Sequence, residues 1–194
     1  MISFVKKSFQ NSIELLEDFV SNADELEKVV SVAGHIANLF NNGNKVIICG
    51  NGGSSCDAMH FAEEFTGRFR KDRKALPVIA LSDSSHITCV ANDYGFEYVF
   101  SRGVEAYGTS GDLFIGLSTS GMSKNLIKAY EKAKTHGLST CLLLGKDGGL
   151  LAHKADFEFI IPGETADRIQ ELHMMILHII IEMVEREMFG ELYG

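Results

Sequence analysis

The sequence predicts an α/β fold: a doubly wound, five-stranded parallel sheet flanked by helices, with a helical arm at its N-terminus. Three observations lead there. Short apolar runs alternate with helix-length amphipathic stretches through most of the 194 residues, the pattern of a parallel sheet with helices on both faces. A glycine-rich loop follows the first apolar run, and a hydroxyl-rich loop follows the third. Both fall where a strand meets the next helix, the carboxyl edge at which such sheets bind ligands. In order, residues 3–20 form the first helix, with Phe4, Phe9, Ile13, Leu16, Phe19 and Val20 as its apolar stripe. A second helix, 24–41, stops at Asn41-Asn42-Gly43-Asn44. Strands are expected at 45–49, 77–81, 112–117, 139–144 and 157–161, and helices at 54–69, 85–91, 95–107, 123–136 and 165–189. No Pro/Gly/Ser-rich or charge-rich stretch divides the chain, so residues 1–194 read as a single domain, with 1–42 as an arm that contributes to oligomerisation.

Composition narrows the function. A formal net charge of −8 argues against nucleic acid or an anionic membrane surface, which need a basic face. A phosphorylated ligand would then be held by main-chain dipoles and hydroxyls. The longest apolar run, Met174 to Val184, is broken by His178 and Glu182 and is short of the ~20 residues that span a bilayer. Apolar side chains nevertheless surround nearly its whole circumference. Such a helix must be buried on several sides, and a small domain achieves that by oligomerising. Cys49, Cys56, Cys89 and Cys141 show no C-x-x-C pair and no secretory segment ahead of them, which reads as reduced thiols in a cytoplasm.

Two stretches carry the chemistry. Gly50 to Arg68 reads GNGGSSCDAMHFAEEFTGR, a strand end, glycine loop and helix start that aim backbone N–H groups at an anion. As a dinucleotide fingerprint it fails, because Ser55 stands where the third glycine of G-x-G-x-x-G belongs. A sugar or phosphate site fits better. His60 and Glu64 follow four residues apart, placing imidazole and carboxylate on one helical face, where they can share a divalent metal. Thr165 to His178 reads TADRIQELHMMILH and adds Gln170 and His178 on another helix. An unpaired imidazole among aliphatics is costly to bury, so His178 needs a partner. Gln170 lies about 12 Å from it along the helix. One ion must therefore sit midway between two long side chains, or the ligands come from different subunits. In the other loop, Ser118-Thr119-Ser120-Gly121-Met122-Ser123, N-capping accounts for one serine. Four hydroxyls at a helix N-terminus suit a phosphate.

GNGGSSCDAMHFAEEFTGR, CVANDYGFEYVFSR, STSGMSKN and ADRIQELH, in that order and spacing, resemble the phosphoheptose isomerases of the sugar isomerase (SIS) domain family, over essentially the whole chain. The resemblance implies a ketose–aldose isomerase that converts sedoheptulose 7-phosphate to D-glycero-D-manno-heptose 7-phosphate through a cis-enediol. This would be the first step of heptose precursor synthesis for lipopolysaccharide or another surface polysaccharide. It implies substrate contacts at Asn51, Gly52, Gly53, Glu64, Asn92, Asp93, Ser118, Thr119, Ser120, Ser123 and Gln170. It further implies one zinc ion per subunit on His60, Glu64, Gln170 and His178, with Glu64 and His178 as acid and base and Arg68 and Asp167 as further polar groups. A cytoplasmic homotetramer with sites between subunits is the implied assembly, with no nucleic-acid or membrane partner. Ser55 and Met122 depart from polar residues expected in some relatives. The rival roles are a non-catalytic SIS protein bound to the replication initiator and an isomerase of another phosphosugar; the His60, Glu64, Gln170, His178 quartet weighs against the first.

Overall fold

In the computed structural model, which describes residues 1–193, the chain begins with two helices, α1 (Ile2–Ser21) and α2 (Ala23–Asn41). Asn22 separates them and caps α2 by accepting from the Asp24 N–H at 3.1 Å. The sheet follows: β1 (Val46–Gly50), β2 (Val78–Ala80), β3 (Leu113–Ser118), β4 (Ser139–Gly145) and β5 (Phe157–Ile161), all parallel, in the order β2-β1-β3-β4-β5. Between the strands run α3 (Gly53–Thr66), α4 (Ser84–Asp93), α5 (Val99–Tyr107) and α6 (Lys124–Thr135), and α7 (Ala166–Met188) follows β5.

Strand alternation divides the interior into two layers. Val46 and Ile48 of β1, Leu113, Ile115 and Leu117 of β3, and Cys141 and Leu143 of β4 face a core shared with α2, α3 and α7. Ile47, Cys49, Phe114, Leu142 and Leu144 face the opposite core, under α4, α5 and α6. Phe61, Phe65, Phe114 and Phe159 are fully buried, each stabilising the fold by roughly 1.5–3 kcal/mol relative to exposure. Hydrophobic burial on both faces is what an all-parallel sheet requires.

Several boundaries differ from the sequence expectation. The helix expected over 54–69 stops at Thr66, because the backbone leaves the helical region at Gly67 (φ −92°, ψ −121°) and the Arg73 guanidinium takes the carbonyls of Glu64 and Phe65. The stretch 95–107 is a short 3₁₀ turn, Phe96–Tyr98, and then α5; Gly95 at φ 101° keeps that turn off the end of α4. Two further 3₁₀ turns, Gly149–Leu151 and Gly190–Leu192, had no periodic signal. In α7, Ile176, Leu177, Ile180, Ile181 and Val184 are buried within this chain, whereas Met175 and Ile179 are 40% and 41% exposed. α1 has no buried residue and leaves Phe4, Phe9 and Ile13 in solvent. Among the described residues no helix is long and apolar enough to cross a membrane.

Candidate active site

The strand order reverses direction at β1 and β3, and the crevice beyond their carboxyl ends is where an open α/β sheet binds ligands. Both loops of interest lie there. After β1 the chain turns at Gly52, whose φ of 56° and ψ of −123° suit glycine alone, so that α3 starts at once. At Gly53 a β-carbon would stand 2.6 Å from Gln170 Oε1, so the bare backbone leaves room for the Gln170 amide where it lies. Gln170 Nε2 donates to Ser54 Oγ at 3.2 Å.

After β3, the buried Ser118 Oγ accepts from the Gly121 N–H at 3.0 Å, and Ser120 Oγ accepts from the Met122 N–H at 3.3 Å. Each hydroxyl keeps its proton to donate. Ser123 occupies the N-cap of α6, yet its side chain makes no capping bond. Simple capping therefore does not use it up. At Gly121, with φ 61°, a β-carbon would lie 1.8 Å from Gly148 O, so this loop rests directly on the backbone after β4. The two loops are joined by an amide pair: Asn51 Nδ2 donates to Asn125 Oδ1 at 2.9 Å, and Asn125 Nδ2 to Asn51 Oδ1 at 2.8 Å.

Farther along the α3–α7 seam, His60, Glu64 and His178 converge, each offering a ligand atom within 4.8 Å of the others. His60 Nε2 is 3.3 Å from Glu64 Oε1 and 3.5 Å from His178 Nε2. Donors bound tetrahedrally at 2.0–2.1 Å lie about 3.3 Å apart, so the trio has the spacing of three ligands to one divalent ion. Burial, and then the neighbouring His60 ring, hold the His178 pKa below the usual value, with Glu64 pulling the other way. That favours the neutral imidazole, the form in which it can ligate a metal or accept a proton. Phe69 stacks on it at 5.9 Å, with 21° between ring planes, and Arg70 pairs with Glu182 at 2.7 Å one turn below.

The expected site residues fall into three groups. Asn51, Gly52, Gly53, Ser118, Thr119, Ser120 and Ser123 line the crevice, and His60, Glu64 and His178 form the trio. Gln170 is not brought to that trio by this chain. Its partner Ser54 precedes His60 by six residues, about 9 Å along α3, so the Gln170 amide as it stands here points to the glycine loop. Asn92 and Asp93 are exposed at the end of α4 and bond to each other at 2.7 Å. Among the described residues neither reaches the loops. Arg68 is exposed just past α3. Asp167, exposed in the first turn of α7, is drawn down to about 2 by the Thr165 side chain and then by Arg168.

Sequence reading missed Asn125, Phe69 and the buried pair of Arg73 and Glu185. Asn125 had a legible signal: a polar residue on the buried face of α6, in line with Leu126, Ala129 and Ala133. The others reach their partners only through the fold.

A doubly wound sheet with a glycine loop and a hydroxyl loop across its switch point is the frame of a sugar-phosphate domain, and the family profile described as the SIS domain matches residues 8–145. A phosphoheptose isomerase of Fusobacterium nucleatum is 66% identical over 186 residues, spanning 96% of each chain. The solved structure of a phosphoheptose isomerase from Francisella tularensis superposes with a TM-score of 0.90 at 32% identity, over 95% of this chain and 98% of that one. That of a phosphoheptose isomerase from Neisseria gonorrhoeae gives 0.88 at 35% identity, over 94% and 97%. The chain belongs to the phosphoheptose isomerases of the SIS-domain family.

Proposed function

We propose that this protein interconverts sedoheptulose 7-phosphate and D-glycero-D-manno-heptose 7-phosphate, the entry step to heptose precursors for lipopolysaccharide or another surface polysaccharide. The convergence of His60, Glu64 and His178 on the seam between α7 and α3, the helix that the glycine loop opens, carries the reading, because aldose–ketose isomerisation needs a base and a proton carrier on one edge of a bound sugar. Glu64 takes the proton from C1 of the ketose and returns it to C2, and the electron pair left behind forms the cis-enediol. His178 moves the hydroxyl proton from O1 to O2. One proton leaves carbon and one returns, so substrate and product are isomers. The hydroxyls of Ser118, Thr119, Ser120 and Ser123 donate to the phosphate without a lysine, while Asn51, Gly52, Gly53 and Gln170 orient the sugar.

The trio also fits one Zn²⁺ per subunit, since two imidazoles and a carboxylate with a fourth position open is the donor set of a catalytic zinc site. His60, Glu64 and His178 would hold such an ion, which would supply Lewis-acid polarisation to a nearby sugar oxygen. Glu64 has two carboxylate oxygens, so helping to hold an ion would still leave it an oxygen for the proton. Gln170, placed at the glycine loop, serves the sugar from where it stands. Asn92 and Asp93, exposed at the end of α4 and bonded to each other, are read as contacts completed across subunits. Exposed Phe9, Ile13, Val20, Leu26, Val30, Met175 and Ile179 on α1, α2 and α7 support a homotetramer, which would cover them. We place the enzyme in the cytoplasm, where sugar phosphates are made.

The test is incubation with sedoheptulose 7-phosphate and, separately, fructose 6-phosphate, following aldose formation by NMR. Heptose formation from the first alone is expected. Turnover of the second alone would assign a hexose phosphate, and turnover of neither would favour a non-catalytic role bound to another protein.

A further inference from the structure

Beneath the trio lies a buried ion pair that no step of the chemistry uses. Arg73 and Glu185 have side chains 1% and 0% exposed, and Arg73 Nε donates to Glu185 Oε1 at 2.8 Å. The remaining guanidinium donors turn to the end of α3. Nη2 donates to Glu64 O and Nη1 to Phe65 O, both at 2.7 Å, and Nη1 also reaches Lys74 O at 3.1 Å and Gly67 O at 3.3 Å. The Glu64 and Phe65 carbonyls lie at the negative end of α3, where a cation is favourable. The second Glu185 oxygen accepts from the Tyr193 hydroxyl.

Arg73 therefore grips the backbone of Glu64 itself. Glu185 stands on α7 about 10 Å below His178, so the same guanidinium ties the helix that carries Glu64 to the helix that carries His178. At the opposite end of the seam Gln170 and Ser54 make the corresponding tie. The segment between α3 and Arg73 is fastened to the same face of α7, by Phe69 on His178 and by Arg70 on Glu182. For stability alone, a buried ion pair is no better than an apolar one of similar volume. What an apolar pair cannot do is fix the Glu64 carbonyl at a set distance from α7.

We propose that Arg73 and Glu185 form a positioning pair, which sets the distance between Glu64 and His178 by clamping the end of α3 to α7. The proposal rests on the reading of Glu64 and His178 as the acid–base pair. Its geometric content can be read separately from catalysis.

The experiment compares the parent with Arg73→Lys, which keeps the charge and loses the fork, and with the double variant Arg73→Met with Glu185→Leu, which replaces the pair by apolar packing. Kinetics with sedoheptulose 7-phosphate are measured beside thermal unfolding and the ¹H–¹⁵N imidazole signals of His60 and His178, assigned with His60→Gln and His178→Gln. In the double variant kcat should fall roughly 10- to 100-fold with KM within about twofold, because the reacting groups are displaced and the phosphate loop is untouched. Its melting temperature should stay near the parent's, and both imidazole signals should shift. Arg73→Lys should recover part of kcat.

Parent-like kcat and unchanged imidazole signals in a folded double variant would overturn the proposal. So would a rise in KM alone, or failure of the double variant to fold, since the pair would then serve binding or the fold. If the parent itself turns over no sugar phosphate, the functional reading fails, and the imidazole shifts still decide whether the pair positions the trio.

Discussion

At the residue scale, environment gives similar side chains different work. His178 and His173 lie on the same helix, but His173 is fully buried and donates from Nε2 to Leu144 O at 3.0 Å, leaving Nδ1 without a partner among the described residues. Burial drives its pKa down to about 4, only partly offset by the bond to Leu144. The folded state thus resists a proton that the unfolded chain accepts near 6.5. The associated stability is complete above the unfolded value and is lost as pH falls toward 4, by roughly 3 kcal/mol in all. Urea midpoints should drop between pH 7 and 4.5, and His173→Gln should flatten that dependence. Glu64→Gln keeps size and hydrogen bonding but removes the base, so turnover should fall roughly 10²- to 10⁴-fold while the ketose phosphate still binds. In heavy water the variant should incorporate no deuterium at C1 or C2. Near-normal turnover by a folded Glu64→Gln protein would reassign the base.

At the element scale, the phosphate loop is a backbone device carrying hydroxyls. Ser118 is committed to the turn through Gly121, whereas the Ser123 side chain makes no cap bond. Ser120→Ala with Ser123→Ala should leave the fold intact and raise KM for the phosphorylated ketose, by roughly 1–3 kcal/mol per charge-assisted bond lost. Unchanged KM would place the phosphate elsewhere. α3 shows the limits of periodicity. Its apolar pattern runs on through Phe69, yet it ends at Thr66, because the backbone turns out of the helix at Gly67 and the Arg73 fork takes the Glu64 and Phe65 carbonyls. That early end frees Phe69 to turn back onto His178.

At the scale of the whole molecule, the last helix faces two environments. Ile176 and Ile180 are buried inside the chain, so an aspartate at either should unfold it, at a cost of roughly 3–5 kcal/mol for an unpaired buried charge. Ile179, 41% exposed beside Met175, Val30 and Leu26, belongs to the face proposed to pack against other subunits. Ile179→Asp should dissociate the assembly in sedimentation equilibrium while far-UV circular dichroism stays native. An unchanged mass for that variant would move the interface.

The sequence by itself determined the class of fold, because the alternation of apolar runs with amphipathic stretches has few packed solutions, and it marked both loops and the pairing of His60 with Glu64, because these are local in the chain. Tertiary structure alone decided what depends on separation in space. It put His178 against His60 across the α3–α7 seam, sent Gln170 to the glycine loop, and joined Asn51 to Asn125 across the crevice. It also decided which faces of α7 are spent inside the chain and which remain outside. Helical spacing fixes neighbours within one element; the contact between two elements is fixed by strand order and by side chains such as Arg73 and Glu185, whose partners lie too far along the chain for any local pattern to reveal.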